Sequence, residues 1–178
     1  DTQFDLIEGS FDLALRSLSL ADSSLKVRKL AEDKRILCAS PDYLAEHGTP
    51  QLLDDLDHHH LVAFKEQVPK KLTGPHASSG QFDPRDGRCR IVLDDGLSLK
   101  IATIAGAGIS MNSLWSVHRE IVDGSLVHIL PDYEVDDPVA LWLVYPKSNV
   151  ITAKVRVFID FLLEKIGKSP PWLDGQRQ

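Results

Sequence analysis

The sequence predicts an α/β domain built on a mixed or parallel sheet, and three observations point there. Strand-like and helix-like segments alternate along most of the 178 residues. The run Ala140-Leu141-Trp142-Leu143-Val144-Tyr145 is apolar almost without interruption, as in strands covered on both faces. Helix punctuation recurs, most completely at Ser40-Pro41 with Gly48, and again at Asp95-Gly96 with Gly106 and Gly108.

Composition bounds the function. A hydrophobic content of 43% and a charged content of 26% are globular values and argue against disorder. The net charge of −6 argues against this chain gripping nucleic acid by itself, which takes a clustered basic surface. Small ligands and protein partners remain open. No run of eighteen apolar residues occurs, so no membrane span is expected. The start at Asp1-Thr2-Gln3-Phe4 is not a signal peptide; it opens inside a pattern, as a piece of a longer protein would.

In chain order, Phe4–Gly9 reads as a helix end or tight connection and Phe11–Arg16 as a short buried strand. Leu25–Leu30 alternates like a half-buried strand, and Arg35–Ala39 is a second. Ser40 then caps a helix with Pro41 at its first position, Asp42 in its first turn and Gly48 at its stop. A short helix over 50–56, the triplet His58-His59-His60 and a strand at Leu61–Phe64 follow. From Lys65 to Gly87 glycines and prolines break every period, leaving an irregular excursion with room for one hairpin. Arg88–Leu93 returns to strand pattern.

Asp94–Ser110 reads as one helix, with Leu97, Ile101, Ile104 and Gly108 on an apolar face and glycines at its end. Asp95 can cap its first amides, and amides left free would welcome a small anion; on the residues alone, an ordinary capped surface helix is the leading reading. Leu114–Gly124 is a second amphipathic helix. Leu126–Pro131 and Ala140–Pro146 are strands. Thr152–Lys165 is a last amphipathic helix, with Val155, Phe158, Ile159, Leu162 and Ile166 at helical spacing, and a loose tail follows.

Chemistry-bearing motifs are few. Consecutive histidines project in different directions, so His58–His60 make a poor chelating set and no metal is expected. Cys38 and Cys89 lack metal spacing and read as reduced structural thiols. No G-x-S-x-G elbow, P-loop, dinucleotide fingerprint or HExxH occurs, so neither an enzyme nor a cofactor is expected.

Several blocks, in order and spacing, resemble one family: Phe4–Arg16, Asp22–Leu25, Leu37-Cys38-Ala39-Ser40-Pro41-Asp42-Tyr43-Leu44 and His47-Gly48-Thr49-Pro50. Ala105–Ile109, Gly124–Pro131 and Ala153–Leu162 continue the match. The chain is similar, over residues 1 to 167, to the effector-binding domain of LysR-type transcriptional regulators. It departs from their pattern at Met111-Asn112-Ser113, where a proline is common, and in the Lys65–Gly87 insert, which lacks the usual tryptophan-containing strand. The family's winged helix-turn-helix and the first strand and helix of the effector domain are also missing.

The resemblance implies a two-lobed fold like type 2 periplasmic binding proteins with two crossover strands, Ile36–Ala39 and Leu141–Val144. Lobe one would hold residues 1–38 and 144–170, lobe two 39–143, and 171–178 would be tail. A small-molecule effector, for example a carboxylate, would lie between the lobes. It would touch Arg16 and Ser17 on lobe one and two converging helix N-termini on lobe two, at Ser40-Pro41 and at Gly96-Leu97-Ser98. Because Asp95 would repel a carboxylate, the donors there would be the amides of Gly96 to Ser98 and the Ser98 hydroxyl. DNA would be bound only through the missing N-terminal domain, by a homodimer or homotetramer, with the outer face of the Asp94–Ser110 helix a candidate contact. A free-standing solute-binding protein of the same fold is the alternative.

Overall fold

The computed structural model describes residues 12–18, 25–65, 67–85, 88–137, 139–146 and 152–173. The expected Phe4–Gly9 connection, Phe11 and the Asp22–Ser24 block lie outside them. In chain order the elements are β1 (Ala14–Leu18), β2 (Leu25–Glu32), β3 (Arg35–Ala39), α1 (Pro41–His47), β4 (Leu61–Phe64), β5 (Lys70–Thr73), β6 (Ser79–Phe82) and β7 (Cys89–Leu93). They continue with α2 (Gly96–Ile104), β8 (Ile109–Ser113), α3 (Leu114–Asp123), β9 (Val127–Ile129), β10 (Glu134–Val135), β11 (Ala140–Pro146) and α4 (Ala153–Leu162).

The chain separates into two compact units. A middle unit, named for its place in the sequence, holds Arg35–Asp137, and a terminal unit holds Gln3–Lys34 and Pro138–Gln178. The expected lobe boundaries at 38/39 and 143/144 fall inside β3 and β11, whereas the units divide at 34/35 and 137/138.

The middle unit is a five-stranded sheet in the order β7-β4-β8-β3-β9, with β4 parallel to β7 and β8, and β3 antiparallel to β8 and β9. Its core includes Leu37, Tyr43, Leu61, Leu72, Phe82, Ile109 and Ile129. The irregular excursion does contain a hairpin, β5 with β6, to which β10 adds a third strand. This pairing buries Leu72 and Phe82, each at 1% exposure, so the segment is a folded part of the core rather than surface chain.

One expected element changes character. The helix stops at Ile104, and Ile109–Ser113 is the buried strand β8 near the middle of the sheet. Gly108 makes this switch possible: its φ of +148° suits only glycine, and a Cβ there would collide with the carbonyl of His60, which accepts the Ile109 N–H at 2.9 Å.

Three polar residues in a five-residue strand hid β8, and they are satisfied internally. Asn112 Nδ2 donates to Ser110 Oγ at 2.6 Å and reaches Cys38 Sγ at 3.4 Å. Thr103 Oγ1 donates to the Leu99 carbonyl at 2.7 Å, so the 2.6 Å contact between Ser110 and Thr103 is donated by Ser110. A hydrogen-bond relay thus runs from β8 into α2, and none of its polar groups is buried unpaired.

α2 is also turned over relative to the simplest reading of its pattern. Leu99 and Thr103 face the sheet, while Leu97, Ile101 and Ile104 are exposed at 62%, 56% and 36%. Lys100 ties α2 to α3, pairing with Glu120 at 2.8 Å and donating to the Ser116 carbonyl at 3.1 Å.

The terminal unit is the antiparallel sheet β1-β11-β2 with α4 in the same unit. Leu141, Leu143 and Val144 of β11 are buried, as its unbroken apolar run predicts. α4 buries Val155 and Ile159, but Phe158, expected on the same face, is 51% exposed. Beyond α4, five residues of π-helix, Leu163–Gly167, precede Trp172, which is buried and donates through Nε1 to the Glu32 carbonyl at 2.9 Å. The expected tail therefore begins with an anchored residue.

Candidate functional site

The sheet of the middle unit has two structurally different ends. β4, β7 and β8 run toward one end, where β3 begins, because Arg35 pairs with Ser113 and Phe64 with Leu93. At that end the chain enters the unit, α2 starts directly after β7, and α3 starts directly after β8. Asp137, the last residue of the unit, comes to the same end, with Oδ2 3.8 Å from Arg35 Nε. This is the crossing end.

The expected convergence of two helix N-termini does not hold. α1 starts from the other end of β3, where a Cβ placed on Gly106, beyond the C-terminus of α2, would lie 3.6 Å from Ser40 Oγ. Ser40-Pro41 and Gly96-Leu97-Ser98 therefore stand at opposite ends of α2, which at nine residues is about 13 Å long. The reason is topological: β3 is antiparallel to the strand that follows α2, so their flanking helices start at opposite sheet edges. Ser40 is 2% exposed and its hydroxyl accepts the Tyr43 N–H at 3.3 Å, while Pro41 has no N–H to offer. Both serve as a helix start.

At the crossing end, the N-terminus of α2 already carries an anion. Asp95 Oδ1 accepts the Ser98 N–H at 2.8 Å. Hydrogen bonds from the Ser98 hydroxyl and then the Ser98 amide hold the Asp95 carboxyl below the usual range. The two Ser98 groups expected to serve a ligand are thus engaged by the cap. Gly96 and Leu97 remain exposed at the helix start.

Arg16 and Ser17 lie on β1 of the terminal unit, paired in register with Trp142 and Leu141. Ser17 Oγ donates to Asp33 Oδ2 at 3.3 Å, and the Asp33 N–H donates to the Val139 carbonyl at 3.3 Å. Ser17 therefore sits where the chain leaves and re-enters this unit. Arg16 is half-buried and, among the described residues, has no hydrogen bond or ion pair from its side chain.

Sequence reasoning missed Arg35, Lys70, Ser113 and Asp137. Arg35 Nη1 donates to Ser113 Oγ at 2.7 Å, and Lys70 Nζ pairs with Asp137 Oδ1 at 2.9 Å. The available signal was a charged residue opening the otherwise apolar strand Ile36-Leu37-Cys38-Ala39. Nothing in the sequence pointed to Lys70 or Asp137, because their partners are distant in the chain. Among the described residues no group of three His, Cys, Asp or Glu side chains is placed to hold a metal, and no helix is long and apolar enough to cross a membrane.

Comparison with known proteins decides the family: the model for the LysR substrate binding domain matches residues 1–167. The chain belongs to that family. It is 33% identical over 165 residues to the HTH-type transcriptional regulator CrgA of Neisseria meningitidis, covering 93% of this chain and 54% of that protein. It is 34% identical over 178 residues to the HTH-type transcriptional regulator DmlR of Escherichia coli, covering 96% and 55%.

Among solved structures, the regulatory domain of CrgA aligns with a TM-score of 0.78 at 29% identity, covering 94% of this chain and 81% of that one. Full-length AphB of Vibrio cholerae, a virulence activator, aligns at 0.71 with 29% identity, covering 92% and 54%. The domain is accordingly a LysR regulatory domain of the two-lobed, periplasmic-binding-protein-like class. It spans about half the length of the curated relatives it matches, among them the transcriptional regulators CrgA and DmlR.

Proposed function

We propose that this domain senses a small carboxylate metabolite for a LysR-type transcriptional regulator. The full-length protein, a cytoplasmic homodimer or homotetramer, would bind DNA through a winged helix-turn-helix domain and carry out no catalysis. The observation that carries the effector reading is Arg16, a half-buried cation on β1 with no side-chain partner among the described residues, beside Ser17 at the chain crossing. A guanidinium in that state is suited to a carboxylate, which it can hold by two parallel hydrogen bonds.

On this reading Gly96 and Leu97 contribute at the crossing end of the middle unit, while Ser98 holds the cap and Ser40 and Pro41 have no direct part. The effector changes the relative population of conformational and dimer arrangements, and the DNA-binding domain reads the change. A full swing from 1:99 to 99:1 needs a preference of about 5.5 kcal/mol for one state. The exposed stripe Leu97, Ile101 and Ile104 is the proposed contact between copies.

Isothermal calorimetry against a panel of small mono- and dicarboxylic acids tests the effector reading. A binding acid should lose at least about tenfold in affinity with Arg16→Ala, the scale of a charge-assisted hydrogen bond. Binding that is indifferent to Arg16→Ala would remove the site.

A further inference from the structure

We propose that Asp137 is a built-in stand-in for a ligand carboxylate at Arg35, and that an incoming carboxylate takes its place. The proposal rests on the effector reading above and adds a second cation with an exchange step.

Arg35 is anchored on one side only. Its Nη1 donates to Ser113 Oγ at 2.7 Å, which holds one edge of the guanidinium at the start of β3. Its Nε stands 3.8 Å from Asp137 Oδ2, inside Coulombic range but outside hydrogen-bond range. The same carboxylate is held closely elsewhere, with Oδ1 2.9 Å from Lys70 Nζ. The pair is therefore lopsided: Lys70 holds Asp137, and Arg35 merely faces it.

A guanidinium presents its N–H groups as a rigid fork that fits the two oxygens of a carboxylate. The Arg35 side chain is 28% exposed against 10% for Asp137, so the cation is open to a solute while its internal partner is largely enclosed. An external carboxylate can form the short, two-point contact that Asp137 does not, and Asp137 can keep Lys70 when it lets go. No covalent step is involved.

The exchange has a place to act. Arg35 is the first residue of the middle unit and Asp137 the last, so their ion pair links the segment entering the unit to the segment leaving it. A carboxylate on Arg35 undoes that link, leaving the crossing segments joined by the Asp33 N–H to Val139 carbonyl bond and the pairing of β2 with β11.

The test uses isotopically labelled 178-residue chain titrated with sodium acetate against sodium chloride at constant ionic strength. NMR follows the Arg35 Nε–H and the Asp137 carboxyl carbon. Acetate should move both signals along one isotherm, and Asp137→Asn should tighten acetate about tenfold by removing the internal competitor. Arg35→Gln should abolish the response. If Asp137→Asn does not fold, the coincidence of the two wild-type isotherms carries the test alone. Acetate shifts at Arg16 with Arg35 and Asp137 unmoved would overturn the exchange while leaving the effector reading intact. Unchanged acetate affinity in folded Asp137→Asn would overturn it equally.

Discussion

The Tyr43 hydroxyl lies 3.1 Å from His59 Nδ1 and accepts the His60 backbone N–H at 2.9 Å. A neutral His59 that carries its proton on Nε2 leaves Nδ1 to accept the Tyr43 hydroxyl proton. Tyr43 also stacks on His47 with ring centroids 4.3 Å apart, and His60 stands edge-on to His47 at 5.4 Å.

Burial, and next the nearby His47, hold the His59 pKa below its ordinary 6.5. The unfolded chain therefore takes up the proton first as pH falls. The stability contributed by neutral His59 is complete above about pH 6.5 and is lost as pH drops toward the lower folded-state value. Thermal melts between about pH 7.5 and 5.5 should show a falling midpoint, and His59→Gln should flatten that slope. A wild-type slope retained in His59→Gln would assign the effect to another group.

The two cysteines should differ sharply in reactivity. Cys38 is fully buried, and that burial pushes its thiol up to about 11, against the hydrogen bonds of Asn112 and Ser110. Cys89 is half-buried. Mass spectrometry after iodoacetamide treatment at neutral pH should find Cys89 alkylated in the folded chain and Cys38 only in denaturant. Equal labelling under native conditions would contradict the burial of β3.

Gly108→Ala should cost about 2–4 kcal/mol, since it combines a forbidden φ with a collision against the His60 backbone. Gly48→Ala, at φ +84° with open space around it, should cost only about 1 kcal/mol. Urea denaturation of both variants gives the comparison, and equal costs would mean that strain alone matters at Gly108.

The α2 stripe should matter for assembly more than for folding. Ile101→Glu places a charge on a residue already 56% exposed, so stability should move by no more than about 0.5 kcal/mol. Light scattering should show the mass of the full-length protein falling toward that of one subunit. An unchanged mass would place the contact between copies elsewhere.

Much of the fold was legible because local rules and tertiary demands agree. Ser40, Pro41 and Gly48 bracket α1, and β3, β4, β11 and α3 lie where period and punctuation put them. β8 was illegible because Ser110, Asn112 and Ser113 mimic a loop until the Asn112–Ser110 bond and the Arg35–Ser113 bond are known. The direction of α2 was also hidden: periodicity finds an apolar stripe but cannot say whether sheet or solvent lies beside it.

The candidate site was less legible than the fold. Helix starts can be read from caps, but which end of a sheet each occupies depends on strand direction. Here β3 runs opposite to β8, which separated Ser40 from Gly96. Arg35 and Asp137 are about a hundred residues apart in the chain, and only the topology reveals them as neighbours.

The relay from Asn112 through Ser110 and Thr103 to the Leu99 carbonyl sets how α2 can respond to events at the crossing end. Apolar contacts permit a helix to slip along its neighbour, whereas directional bonds of this kind hold one register. α2 is thereby keyed to β8 at Thr103, while its outer edge bears Leu97 and Ile101. Movement of the β8 terminus beside Arg35 would reach that edge as a tilt, a change of angle that needs no refolding.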